Sequence, residues 1–349
     1  MNKSFLTTAL SAVLLFAGGQ QADAASWRIN NNANRHAHFT DINAAMSSND
    51  VVAGDTLYLD PGCLITSTQN VTKRVTVIGT GYFLSGTVFQ DATISGTVHI
   101  KADNTKMEGV LFTNTSSSGA LDLAANSIII ERCKMPNIFV AGNYCTIRQC
   151  YITSYINFSA SYSKCMLCNN IINYSEAAAS SNVYKPFYGT IKNATLQNNY
   201  IVQRRRANSN YIIDASFQSC NIKDNIIICP GAPNQLINNP SNCTITHNVL
   251  SCADGTYTVY PDNVCLGSAD ETVLVVAEGN NDLWYLPKDD SPAKGYATDG
   301  GDCGPFGGRY PYVPSGYPLG MPRFESSVVG TRPQSGQVSV NQQVTIQKQ

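Results

Sequence analysis

Arg148, Lys223 and His247 are the residues whose types and places could carry out chemistry. A guanidinium or ammonium group can neutralise a carboxylate on a bound polymer and acidify the neighbouring carbon. An imidazole can then take the proton. Together the three would serve an elimination reaction on an acidic glycan. The plainer reading leaves Arg148 and Lys223 solvating a surface and His247 filling a bend. Arg204-Arg205-Arg206 is the only dense basic run, and it lies near a crowd of tyrosines. Arg204, Arg205, Tyr155, Tyr184 and Tyr211 are therefore candidate substrate-binding residues. Aromatic faces and basic groups hold polymers without needing to react with them.

Other chemistries find less support. Glycoside hydrolysis needs two carboxylates about 5 to 9.5 Å apart. Among the repeated positions of the chain only Glu131 is acidic and faces outward by this reading. Cys165-x-x-Cys168 has no second pair at zinc spacing, and side chains three apart on a strand point to opposite faces. Asp299 and Asp302 do not make a calcium ligand set. No metal and no cofactor is expected. Charged residues are only 13% of the chain and the net charge is -1. That excludes nucleic acid as a partner, because phosphate binding needs a positive field.

These residues sit in a repeat. Its copies are CTIRQCYIT from Cys145, CMLCNNIIN from Cys165, ATLQNNYIV from Ala194, CNIKDNIII from Cys220 and CTITHNVLS from Cys243. IIIERCKMP from Ile128 is a weaker copy, and segments around Val75, Ala92 and Met107 are more degenerate ones. The starts recur at about 20 to 30 residues, which is solenoid spacing. Positions one, three and eight are apolar or small, so each unit reads as strand, bend, strand with one face inward. Position six is Asn170, Asn199, Asn225 and Asn248. Asn there suits an unusual bend conformation and can hydrogen-bond along a stack. No unit has helical periodicity. Several of the 12 Cys recur at position one, namely Cys145, Cys165, Cys220 and Cys243, which predicts an inward column of mostly free thiols rather than a disulfide framework.

The repeat predicts an all-β fold: a parallel β-helix solenoid with a short N-terminal helical cap over Thr40–Asn49 and an irregular C-terminal cap. Leu57 and Leu59 should begin the first strand. The string GDTLYLDPG from Gly54 resembles the start of right-handed parallel β-helix proteins of the pectate-lyase-like superfamily. SPAKG from Ser291 and DCGPFGG from Asp302 resemble the closing segment common there. The Pro- and Tyr-rich stretch to Met321 and the tail near Val338–Ile346 resemble secreted Bacteroidetes members. The resemblance implies a right-handed β-helix. It leaves activity open, because this scaffold hosts lyases, hydrolases, esterases, adhesins and inert surface proteins.

The ends complete the reading. Lys3, an apolar run from Phe5 to Ala17 and Ala22-Asp23-Ala24 form a secretory signal pattern over residues 1–25. That run is too short for a transmembrane anchor. The expected organisation is a β-helix domain over 26–325 and a tail over 326–349. The expected location is secreted, periplasmic or cell-surface. The expected role is engagement of an extended polysaccharide along an outward sheet face. A polysaccharide lyase using basic side chains and a structural or adhesive surface protein are the alternatives.

Overall fold

The computed structural model describes residues 24–317, apart from 85–89, 117–118, 160–163, 175–184, 204–210, 214, 229–234, 238–239, 252–261, 267–273 and 277–281. The expected signal segment up to residue 23 and the tail beyond 317 lie outside the described residues. Within them the chain forms a parallel β-helix. Three sheets run the length of the stack, two of ten strands and one of seven. A coil visits each in turn: Thr146–Arg148 in the first sheet, Tyr151–Ile152 in the second and Ile156–Phe158 in the third. Met166–Cys168 then begins the next coil, pairing in parallel with Thr146–Arg148.

The inward pattern follows the alternation. Cys145, Ile147 and Ile152 are buried, as are Cys165, Leu167 and Ile172 on the next coil. They join one continuous apolar core. Each such Ile or Leu stabilises by roughly 1.5–3 kcal/mol when removed from water. No disulfide joins the ten described cysteines.

The bends differ from the expectation in one respect. The residue with the left-handed backbone is position five, not position six: Arg132, Gln149, Asn169, Asn198, Asp224 and His247 all have φ near +50 to +60. The residue before position one does the same at Ser127, Tyr144, Lys164, Asn193, Ser219 and Asn242. The strand of the first sheet is thus bracketed by two left-handed residues, which turn the chain out of and into the sheet. Position six is the inner ladder instead. Asn170, Asn199, Asn225, Asn248 and Asn263 each accept from the amide and side chain of the coil before, or pass the bond on. Their side-chain nitrogens also donate to strand carbonyls such as Ile147 and Leu167. Each side-chain amide of this ladder is satisfied, so the column adds stability and does not cost it.

The N-terminal end starts earlier than Leu57. Ser26–Ile29 is the first strand of the first sheet and pairs with Thr56–Leu59. The helix Ile42–Ser47 is capped by Asp41, whose side chain accepts from the Ala44 amide. It covers the open edge of the third sheet: the Asn43 side chain donates to Thr68 O and accepts from Asn70 N. An edge strand left bare would invite pairing with another chain.

The closing segment is irregular and runs back along the flank of the stack. Position-five side chains hold it. Asp224 accepts from Thr298, Asn198 donates to Asp302 O, and Asn169 donates to Pro305 O and Gly307 O. Gln149 donates to Pro311 O, and Tyr82 N donates to Ser315 O. This strap buries the outer face of the second sheet at Ile171, Tyr200, Ile226 and Val249 under a second apolar cluster, while Leu64 at the N-terminal end of that sheet stays exposed. The second sheet is therefore covered over its later coils, which leaves the first and third sheets to present the longer outer faces.

Candidate functional site

On the first sheet, Arg148 and Lys223 both face outward at position four, as expected. They do not converge. Cys168 and Gln197 stand between them in register, three strand spacings or about 14 Å. Each is also engaged. Arg148 donates to Glu131 at 3.0 Å and lies over the Tyr310 ring at 4.8 Å. Lys223 donates to Thr298 at 3.1 Å. His247 is adjacent to Lys223 along the stack but sits at the bend. Its ring lies beside Tyr296 and its Nδ1 is buried with no partner among the described residues.

Glu131 is not the only acid on this face. Glu108 stands next to it in register, and the degenerate repeat around Met107 hid it from the sequence reading. Arg132 bridges both carboxylates, Lys106 reaches both at 2.7 and 3.0 Å, and Arg148 adds a further contact to Glu131. Burial pushes the Glu131 carboxyl upward. The Arg148 hydrogen bond and the charges of Arg132 and Lys106 outweigh that and hold it below the usual range. A carboxylate held ionised cannot act as the acid of a glycosidase. The cluster is a structural clamp, with both acids almost fully buried.

The third sheet presents a different surface. Its short strands alternate inward, outward, inward. The register aligns the outward residues Asn70, His99, Asp122, Phe139, Asn157 and Tyr188 in one column along the stack. All six are half-buried, and their flanking neighbours are buried apart from exposed Gly189. His99 Nδ1 and Asp122 Oδ2 are 2.9 Å apart, with side chains 32% and 28% exposed. A carboxylate only accepts, so the imidazole donates to it from Nδ1.

Aromatic rings occupy the other half of the column. Tyr155 lies between Phe139 and Tyr188, with ring centroids 6.1 and 5.1 Å away, both edge to face. Buried Asn137 sets its position: Nδ2 donates to the Tyr155 hydroxyl at 3.3 Å, and Oδ1 accepts from Ala120 N at 2.7 Å. Gly119 makes room for Phe139. It has φ +85, and an added Cβ would lie 2.5 Å from that ring.

Of the substrate-binding residues read from the sequence, only Tyr155 is thereby placed in a constellation. Arg204, Arg205 and Tyr184 lie outside the described residues. The backbone of Tyr211 belongs to a short strand paired with Gln235–Ile237, and its side chain is outside the description. His99, Asp122 and Phe139 were missed. Their signal was present as the triplets Val98-His99-Ile100, Leu121-Asp122-Leu123 and Ile138-Phe139-Val140, each apolar at its ends. Among the described residues no group of three or more His, Cys, Asp or Glu is placed to hold a metal, and no helix is long and apolar enough to cross a membrane.

The parallel ladders decide the architecture. The chain is a parallel β-helix protein. No protein-family model matches it, and no curated protein does. Among solved structures it is similar to a PL6 family polysaccharide lyase, Pedsa3628 from Pseudopedobacter saltans. That likeness has 13% identity and a TM-score of 0.33, covering 86% of this chain and 100% of that one. It is also similar to QnrB1, a plasmid-mediated fluoroquinolone resistance protein. Here the values are 9% identity and a TM-score of 0.25, covering 54% of this chain and 81% of that one. At such values neither likeness bears on activity.

Proposed function

We propose that the protein engages an extended carbohydrate along the outer face of its third sheet. The observation that carries this is the column Asn70, His99, Asp122, Phe139, Asn157 and Tyr188, with Tyr155 packed between its aromatic members. Rings supply apolar faces for sugar C–H surfaces, and amides, imidazole and carboxylate supply hydrogen bonds to hydroxyls. The column is straight and repeats at each coil, which matches a polymer better than a small molecule. The other two outer surfaces are less suited, since the strap covers the later coils of the second sheet and the Glu108–Arg132–Glu131 clamp ties up the charges of the first. The signal pattern at residues 1–25 would deliver this function outside the cytoplasm.

Titration of Tyr155→Ala and Tyr188→Ala with a bound polysaccharide tests the reading. Loss of one central aromatic anchor should weaken binding by at least about 1 kcal/mol, or roughly fivefold. Unchanged affinity in both variants, with the fold intact by circular dichroism, would remove the proposal. Elimination on an acidic glycan through Arg148, Lys223 and His247 is the rival reading. It is less supported, because Arg148 and Lys223 stand about 14 Å apart and are each engaged by a neighbouring side chain.

A further inference from the structure

We infer that the third-sheet face selects an uncharged polysaccharide, and that the hydrogen-bonded pair His99–Asp122 is its specificity determinant. This rests on the carbohydrate reading above and adds the class of polymer.

The charges on and around the column carry the argument. Across its six positions Asp122 is the only acidic residue, and none is Lys or Arg. Lys101 is exposed two residues beyond His99, and Asp103 is exposed two residues further. Lys185 lies three residues before Tyr188 at the far end. Among the described residues the face therefore has no regular row of cations that could answer a carboxylate on successive sugars. The densest positive group of the described residues, Lys106, Arg132 and Arg148, is on the first sheet and bound to Glu108 and Glu131.

Asp122 sets the preference directly. An ionised carboxylate at mid-face repels a uronate placed over it and accepts from the hydroxyl groups of a neutral sugar. His99 holds it through Nδ1–H at 2.9 Å. Asn70 lies next to His99 in register, and Asn157 lies between Phe139 and Tyr188. Their amides both donate and accept, as sugar hydroxyls do. Every polar group of the column can therefore bond a hydroxyl, and the column holds no Lys or Arg to pair with a carboxylate.

The test uses the full chain and matched polymers: neutral glucan, galactan and mannan, each beside its C6-oxidised uronate form. The expected result is a neutral polymer bound at least about fivefold tighter than its oxidised partner at neutral pH, the ratio one unfavourable charge contact near a protein surface supports. Asp122→Asn should shrink that ratio to within about twofold by admitting the uronate form, since the amide keeps the shape and removes the charge. Equal or tighter binding of the oxidised form by the wild-type chain would overturn the selectivity and leave the carbohydrate reading standing. A preference for neutral polymer that survives Asp122→Asn unchanged would overturn the role of Asp122. Binding of none of the six polymers would overturn the inference together with the carbohydrate reading.

Discussion

Asn225→Ala tests how much the inner ladder holds the stack together. The Asn225 side chain is fully buried. Its Oδ1 accepts from Asn199 N at 2.8 Å and Asn199 Nδ2 at 2.9 Å. Its Nδ2 donates to Leu196 O, Lys223 O and Asn248 Oδ1. Truncation leaves the Asn199 amide without a substitute, while the Leu196 carbonyl keeps its place in the parallel ladder with Asn221–Lys223. Asn199 Nδ2 keeps its bond to Leu167 O, and Asn248 Oδ1 still accepts from Asn225 N. A stranded buried group costs about 1–3 kcal/mol, so the change costs about 2 kcal/mol. For a large domain that lowers the melting temperature by about 4–8 °C. Far-ultraviolet circular dichroism on heating measures it, and hydrogen exchange should show the Asn199 amide losing protection. Thr244→Ala, exposed on the neighbouring strand, should stay within about 0.5 kcal/mol of wild type. An Asn225→Ala protein melting within about 1 °C of wild type would refute the reasoning that buried amides here depend on one another.

Three further outcomes follow from the same geometry. Glu131→Gln leaves Arg132 buried with Glu108 alone and should destabilise the fold by about 3–5 kcal/mol in denaturant titration. Because the Glu131 carboxyl is held below its usual range, its stabilisation is present above the unfolded value near 4.3 and fades as pH falls through the folded one; the variant should show a flatter stability curve in acid. A thiol reagent at pH 8 should modify half-exposed Cys243 before Cys133, Cys150 or Cys168. Burial pushes the Cys133 thiol up to about 12 and the Cys168 thiol to about 11, so rapid native-state labelling at either, read by mass spectrometry, would contradict the packing. Lys223→Ala should leave polysaccharide affinity within about twofold, since its side chain meets Thr298 and not the third sheet.

The stacked coils were legible because short-range alternation writes them into each repeat. Cys145 and Ile147, or Cys220 and Ile222, announce an inward face without any knowledge of their neighbours. The ladder was legible too, though Asn263 lies in no recognisable copy. The left-handed bend was placed one residue late, because Asn at position six looked like the natural bend residue. Position five holds Arg, Gln, Asn, Asp or His, and what unites these is the strap they grip or the clamp they form. Contacts such as Gln149 to Pro311 join residues far apart in the chain and have no local signature. Ser26–Ile29 was missed for a similar reason: it pairs with Thr56–Leu59 but belongs to no repeat. The third-sheet column stayed hidden because the loops before its strands vary in length, which scatters His99, Asp122 and Phe139 out of period. Attention to the basic residues of the first sheet then drew the search to the wrong flank, with Tyr155 as the one residue common to both readings.

Hydrogen exchange with and without a bound neutral polysaccharide tests the location of the working surface most directly. The account predicts new protection at Val98–Ile100, Leu121–Leu123, Ile138–Val140 and Ile156–Phe158. Protection confined to Thr146–Arg148, Thr195–Gln197 and Asn221–Lys223, with those four segments unchanged, would contradict it.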